Sequence, residues 1–282
     1  MTIRIVTDST CDLPLQIFQE FGISVVPCYI NFEERSYLDM VDLSRQEFYQ
    51  RIARLDSFPK TAAPSVGMFN EVYGRLAAQG ADEIISIHIR DGLSNMSNVA
   101  RLAADAFKTI RVTVIEVGQV ALTLGFLVMA AGRAIKAGRN IEEIKSLLAE
   151  KDQRTYLFAA LDTLEFIKHG GRVPQMLVEL ASLLQIKPVV LLRLGSISMV
   201  DRIRTTSKQI EVLVKHALQQ GPLEDIGVAH TNAPEKALHL AEALHKALNL
   251  KNEIWIEEAT PVLGVHVGPG ALAVACVKAA AE

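Results

Sequence analysis

Short β-branched runs alternate with helical stretches of regular apolar spacing through the first half of the chain. Residues 3–6 read as a strand. Leu15, Phe18 and Phe21 recur at three-residue intervals and predict a helix over 13–21, which Gly22 ends before a second strand at 23–26. Ser44 followed by Glu47 has the spacing of a capping box for a helix reaching Leu55, and Ser65 is placed to cap a helix through Phe69 and Val72. Runs 83–89 and 111–117 are the next strands, with a helix over 98–107 between them. The uncharged run between Glu116 and Arg133 is too short to cross a bilayer and is read as a buried helix. Alternation of this kind predicts a parallel sheet covered by helices on both faces.

After a polar helix at 141–151 the pattern changes. A strand at 156–161 leads to a helix that stops at Gly170 and Gly171, and Pro174 opens another. Two β-rich runs meet at Gly195 and Ser196 and predict a hairpin. A helix at 207–220, a strand at 226–230, a helix at 234–248 and a strand at 253–257 follow. The fold class expected is therefore α/β in two domains: a Rossmann-like parallel sheet in 1–153 and an α+β domain in 154–282.

Composition narrows the function. The 282 residues carry 29 Lys+Arg and 32 Asp+Glu, a formal charge of −3, which leaves no basic footprint for nucleic acid. The start of the chain runs straight into a strand pattern with no basic segment ahead of an apolar one, so a cytoplasmic location without stable membrane insertion is expected. Cys11, Cys28 and Cys276 form no paired motif and are read as buried, reduced thiols.

No phosphate loop GxxxxGK[ST], no GxGxxG, no HExxH and no GxSxG occurs. The polar residues available for chemistry lie instead in loops at strand ends, where open α/β sheets bind ligands. Asp8-Ser9-Thr10-Cys11-Asp12-Leu13-Pro14 follows the first strand, and a turn with a capping aspartate is the commoner fate of such a segment. Thr61 stands just outside the helix that Ser65 caps. Ser94 and Ser97 flank Asn95-Met96, and either serine could cap the next helix. Residues 261–270 read as a loop in which glycines on both sides of His266 admit a close approach. Lys168, His169 and Arg172, and the pair Arg202 and Arg204, are helix-end and strand-face cations. The remaining histidines have no ligand-like spacing, and no metal site is expected.

Taken in order, Asp-Ser-Thr-Cys-Asp-Leu-Pro at 8–14, Thr-x-x-Pro-Ser at 61–65, Leu-Ser at 93–94, Lys-x-Gly-Gly-Arg at 168–172, Ile-Lys-Pro at 186–188 and Gly-x-His-x-Gly-Pro-Gly at 264–270 resemble the DegV family of bacterial fatty-acid-binding proteins. The resemblance spans essentially the whole chain. It implies a non-enzymatic carrier that holds one long-chain fatty acid in an apolar tunnel, at a ligand site between the two domains, with no cofactor. It further implies a separate ATP-using fatty acid kinase as partner, which makes the acyl phosphate used in phospholipid metabolism. Carried over position by position, the carboxylate would be met by Thr61, Ser94 and His266. Arg172 would lie at the partner or near the phosphoryl group, and Gly268 and Ser9 are further candidate contacts of the head group or partner. Where the family reads Leu-Ser-Gly-Thr-Tyr, this chain has Leu93-Ser94-Asn95-Met96-Ser97, with two bulkier residues beside the serine. The alternative is an α/β enzyme acting on a small polar substrate, related to dihydroxyacetone kinase substrate subunits. His266 would be its base or nucleophile and Asp8 or Asp12 its acid.

Overall fold

The computed structural model describes residues 2–32, 35–52, 54, 57–172 and 186–280; the helix expected to open at Pro174 and the helix end expected at Leu55 lie outside them. In chain order the first half contains β1 (Ile3–Asp8), α1 (Leu15–Glu20), β2 (Ser24–Val26), β3 (Tyr29–Phe32), β4 (Arg35–Leu38), α2 (Arg45–Ile52), β5 (Lys60–Ala62), α3 (Val66–Ala78), β6 (Glu83–Ile89), α4 (Met96–Ala106), β7 (Arg111–Val117), α5 (Ala121–Lys136) and α6 (Ile141–Gln153). The second half contains β8 (Thr155–Ala160), α7 (Glu165–Gly170), β9 (Lys187–Arg193), β10 (Ser196–Ile203), α8 (Thr206–Leu218), β11 (Leu223–His230), α9 (Pro234–Leu248), β12 (Trp255–Glu258), α10 (Pro261–Val267) and β13 (Leu272–Lys278).

Three sheets result. The first is parallel throughout, in the order β2-β1-β6-β7. Ile5, Ile85 and Ile87 pack on one of its faces against α5 and α6, while Val6, Ile84 and Ile89 pack on the other against α3 and α4. Helices thus cover both faces, as the alternation predicts. The second sheet is mixed, in the order β10-β9-β8-β13-β11-β12, and only its β11–β12 pair is parallel. The third, β4-β3-β5, is a small antiparallel sheet that the sequence pattern does not anticipate.

Helix α5 explains the long uncharged run. Leu124, Leu127, Val128 and Ala131 face the first sheet, whereas Leu122, Phe126 and Met129 face the second. A helix packed between two sheets has no wet side, so thirteen of its sixteen residues are buried. The hairpin of β9 and β10 turns at Leu194-Gly195, one residue earlier than expected, with φ of 51° and 78°. Both central residues have positive φ, as a two-residue hairpin requires. Its tip docks on the first half: Gly195 N–H donates to Gly118 C=O at 2.9 Å and Arg90 Nη1 donates to Leu194 C=O at 2.8 Å. A side chain at Gly118 would fall 2.4 Å from the Leu194 backbone, so only glycine admits the hairpin there.

Two expectations are corrected here. Residues 261–267 are a helix, opened by Pro261 after Thr260, and His266 sits in its last turn rather than in a loop. The flanking glycines serve packing and leave no open approach. A Cβ at Gly264 would lie 2.5 Å from the Phe48 ring, and one at Gly268 2.3 Å from the Phe166 ring.

Candidate functional site: the Thr61–His266 pair and its apolar neighbour

Thr61 is held on β5, opposite Ile30 of β3. The same small sheet and α2 receive α10, whose Val265 joins Ile30, Phe48 and Tyr49 in one apolar cluster. That packing brings residues 205 positions apart to hydrogen-bond distance, with Thr61 Oγ1 and His266 Nε2 2.9 Å apart. Helix α7 closes the other side. A Cβ on Gly170 would lie 2.8 Å from His266 Nδ1, so the imidazole rests directly on glycine backbone. Phe58 stacks on His169 with ring centroids 3.8 Å apart and 9° between planes, and meets Phe166 edge-on at 5.1 Å. Three segments, 58–61, 165–172 and 261–268, therefore pack around the imidazole.

Burial, and secondly the charge of Arg172, push the His266 pKa down to about 4, so the ring is neutral at neutral pH. His266 Nδ1 has no hydrogen-bond partner. An unpaired buried N–H is costlier than an unpaired lone pair, which assigns the proton to Nε2. Nε2–H then donates to Thr61 Oγ1 and leaves the Thr61 hydroxyl hydrogen free for an incoming acceptor. Arg172 is exposed and donates from Nη1 to Gly170 C=O at 2.7 Å, which pins the glycine against the ring.

Ser94 lies beyond β6, half-buried, with its N–H donating to Arg90 C=O at 3.4 Å. Its neighbour Leu93 packs in clusters that contain Val262 and Leu263 of α10, but no hydrogen bond joins Ser94 to Thr61 or His266. Neither Ser94 nor Ser97 caps α4: Asn95 occupies the cap position and Ser97 Oγ donates to Glu116 at 2.8 Å. Ser9 is buried, and its Oγ accepts from Cys28 N–H at 3.0 Å. Gly268, at φ 72°, is pressed against Phe166.

Beside α10 lies an apolar cavity of about 80 Å³. Leu263 and Val267, one turn apart on α10, form one wall, and His266 occupies the adjoining face of the helix. Opposite them, Ala159, Ala229, Ala271 and Ala273 come from β8, β11 and the start of β13, with Ala121 at the head of α5. Alanines leave the space that larger side chains would fill. The volume is below the ~300 Å³ at which small-molecule pockets usually begin, so a long chain can enter only as the walls part.

Asp8 and Asp12 are engaged elsewhere. Asp8 Oδ1 accepts from Thr10 N–H at 3.0 Å, and Asp8 Oδ2 pairs with His88 Nδ1 at 2.8 Å. His88 Nε2 lies 2.6 Å from Ser86 Oγ, which lies 2.9 Å from Tyr73 Oη. This buried chain links residues 80 apart and has no sequence signature. Asp12 is not a cap for α1: its Oδ1 accepts from Thr260 N–H at 3.0 Å, tying the first loop to the start of α10. No contact pairs either aspartate with His266, so nothing in this arrangement favours His266 and an aspartate as base and acid. Among the described residues no cluster could hold a metal ion, and no helix is long and apolar enough to cross a membrane.

A profile of the DegV family, described as an uncharacterised protein family, matches residues 2–279. A DegV domain-containing protein of Streptomyces coelicolor is 31% identical over 274 residues, covering 96% of this chain and 97% of its own. Among solved structures, a fatty-acid-binding DegV family protein from Thermus thermophilus superposes with a TM-score of 0.90 at 29% identity, covering 99% of this chain and 100% of that one. DegV of Bacillus subtilis, a fatty acid binding protein, does so with a TM-score of 0.87 at 29% identity, again over 99% and 100%. With the profile matched over nearly its whole length and the fold shared end to end, the chain belongs to the DegV family.

Proposed function

We propose that this protein binds one long-chain fatty acid, with its tail in the alanine-lined cavity and its carboxylate at Thr61, Ser94 and His266, between the units 1–153 and 154–282. The observation that carries this reading is the Thr61–His266 pair at 2.9 Å, set on the helix whose next face lines an apolar cavity. Its support is that relatives of the same fold at 29% identity are fatty-acid-binding proteins. Burying the ~15 methylenes of a C16 tail at ~0.8 kcal/mol each contributes on the order of 12 kcal/mol before ordering costs. Head-group hydrogen bonds at ~1 to 3 kcal/mol each orient the acid and keep its charge from being buried without partners. Held by hydroxyls and a neutral imidazole, the carboxylate keeps lone pairs for attack on a phosphoryl group.

We infer also that the carrier presents the acid to a separate ATP-using kinase, with Arg172 on the exposed rim as the contact. Organic extraction of the purified protein followed by mass spectrometry tests the first claim: a stoichiometric C14 to C18 acid is expected, and an extract without lipid refutes it. Acyl phosphate formation by a DegV-partner kinase, lost in Arg172→Ala while lipid stays bound, tests the second; an undiminished rate in that variant refutes the contact.

A further inference from the structure

Among the described residues twelve buried side-chain nitrogen and oxygen atoms lack a hydrogen-bond partner. Four of the twelve, Arg4 Nε, Asp39 Oδ1, Asp39 Oδ2 and Arg45 Nε, belong to residues that line a second cleft, far larger than the alanine-lined cavity, with a volume of about 790 Å³. Ser9 and Thr260 supply further polar lining, and Asp12, outside the lining, stands 4.0 Å from the Arg45 guanidinium. Asp39 is 1% exposed. Ser9 and the Val262 N–H lie close enough to favour its charged form, but neither carboxylate oxygen reaches hydrogen-bond geometry. Burial of such acceptors without donors costs free energy that a ligand would recover.

The lips of the cleft are apolar. Six large hydrophobic residues are exposed among the described residues, and three of them, Leu15 (66%), Met40 (43%) and Val41 (67%), line this one cleft from α1 and from the turn after β4. Phe18 and Leu13 continue the wall inward. Met40 holds a positive φ of 62° without being glycine, a conformation kept only where the surroundings impose it. Arg4 and Arg75 reach the cleft from β1 and α3.

We propose that this cleft binds a neutral amphiphile with a polyhydroxylated head: hydroxyl hydrogens donate to Asp39, a hydroxyl oxygen accepts from Arg45 Nε–H, and the apolar body covers Leu15, Met40 and Val41. The polar end demands donors and an acceptor within a few ångströms of each other, which adjacent hydroxyls supply and a lone cation or anion does not. Two carboxylates, Asp39 and Asp12, stand near the one guanidinium of Arg45, so a further anion is disfavoured beside them and an uncharged head is admitted. The apolar lips separate an alkylated polyol from a free sugar. The site is distinct from the Thr61–His266 pair, and neither reading depends on the other.

Calorimetric titration of the fatty-acid-loaded protein with octyl glucoside, glucose and octyl phosphate, each below its micelle concentration, tests the proposal. Saturable binding of octyl glucoside is expected, about ten-fold or more tighter than glucose. Asp39→Ala and Val41→Glu should each weaken it about ten-fold, and Leu238→Glu, at an exposed hydrophobic residue outside the cleft, should leave it unchanged. Val41 is on the surface, so its variant folds even where Asp39→Ala does not. Absence of saturable octyl glucoside binding, tighter binding of octyl phosphate, equal affinity in Val41→Glu, or an equal loss in Leu238→Glu overturns the proposal.

Discussion

Gly170→Ala adds one methyl group against the imidazole on which the proposed carboxylate site depends. The new Cβ would stand 2.8 Å from His266 Nδ1 and 3.7 and 3.8 Å from Cγ and Cε1, so the ring must withdraw by several tenths of an ångström. It can do so by leaving its rotamer, at ~0.5–1.5 kcal/mol, or by stretching the 2.9 Å bond to Thr61, at ~1 kcal/mol. A cost of ~1 to 2.5 kcal/mol on the geometry that meets the acid corresponds to a loss of roughly 5- to 70-fold in affinity. The backbone itself accepts alanine, since Gly170 is not among the positive-φ glycines, and the smaller entropy of the unfolded chain returns ~0.4–1 kcal/mol. Binding should therefore suffer more than stability. Displacement of a fluorescent fatty acid analogue by palmitate measures the affinity, and imidazole nitrogen NMR shifts report whether Nε2 still carries the proton. In a Thr61→Val background the effect of Gly170→Ala should largely disappear, because both act on one bond. Wild-type affinity with unchanged nitrogen shifts, or full additivity of the two substitutions, refutes the reasoning.

Other consequences can be measured separately. Asp39 has its pKa raised from 3.8 to about 7, chiefly by burial, so the folded state takes up a proton between those values and loses stability as pH rises through them. Asp39→Asn should match wild type near pH 4 and exceed it by ~2 to 4 kcal/mol at pH 8 in urea denaturation; an equal gain at both pH values contradicts this. His266, lowered from 6.5 to about 4, works in the opposite sense, and its contribution grows as pH rises from about 4 to 6.5. Ala229→Leu fills the apolar cavity from β11 and should leave the melting temperature within a few degrees while extracted C16 acid falls well below stoichiometric; full lipid content would remove this cavity from the tail path. Gly268→Ala combines φ 72°, ψ 175°, a region open to glycine, with a Cβ 2.3 Å from Phe166. A loss of ~2 to 4 kcal/mol in thermal or urea unfolding is expected, and a wild-type transition would show that Phe166 gives way freely.

Local patterns were legible where one element answers to one physical demand. β6 and β7 coincide with their β-branched runs, Ser65 Oγ accepts from Met68 N–H as a cap should, and α9 spans the predicted 234–248. What the sequence hid depends on tertiary partners. β13 is a central strand of the second sheet, yet its residues LAVACVK read without alternation because both of its faces are covered. β3 to β5 have only three or four residues each and hold together by pairing with one another and by the α2–α10 cluster. The Thr61–His266 pair came from the family resemblance, since nothing in a spacing of 205 residues points to contact. A local cap is the commonest use of a residue placed as Asp12 is, and its acceptor role to Thr260 requires β12 to deliver the chain there.

The buried chain Asp8–His88–Ser86 has the order of a carboxylate–imidazole–hydroxyl triad, and its surroundings decide that it is not one. A nucleophilic serine needs a face open to substrate and donors for the developing oxyanion. Ser86 Oγ is instead held between His88 Nε2 at 2.6 Å and Tyr73 Oη at 2.9 Å, with the Phe69 ring edge-on to His88 and the three triad residues at 0% exposure. The network closes on itself and ties the loop after β1 to β6 and α3. From that loop Asp12 reaches Thr260, where α10 begins, so a displaced Asp8 would be felt at His266 through a continuous run of backbone and hydrogen bonds. His88→Ala leaves Asp8 and Ser86 buried without their shared partner and should cost ~2 to 5 kcal/mol of stability. Fatty acid affinity should fall with it, while Ser86→Ala should leave hydrolysis of an activated ester at the wild-type level. Ester hydrolysis that vanishes in Ser86→Ala but survives in Thr61→Val would reinstate the triad.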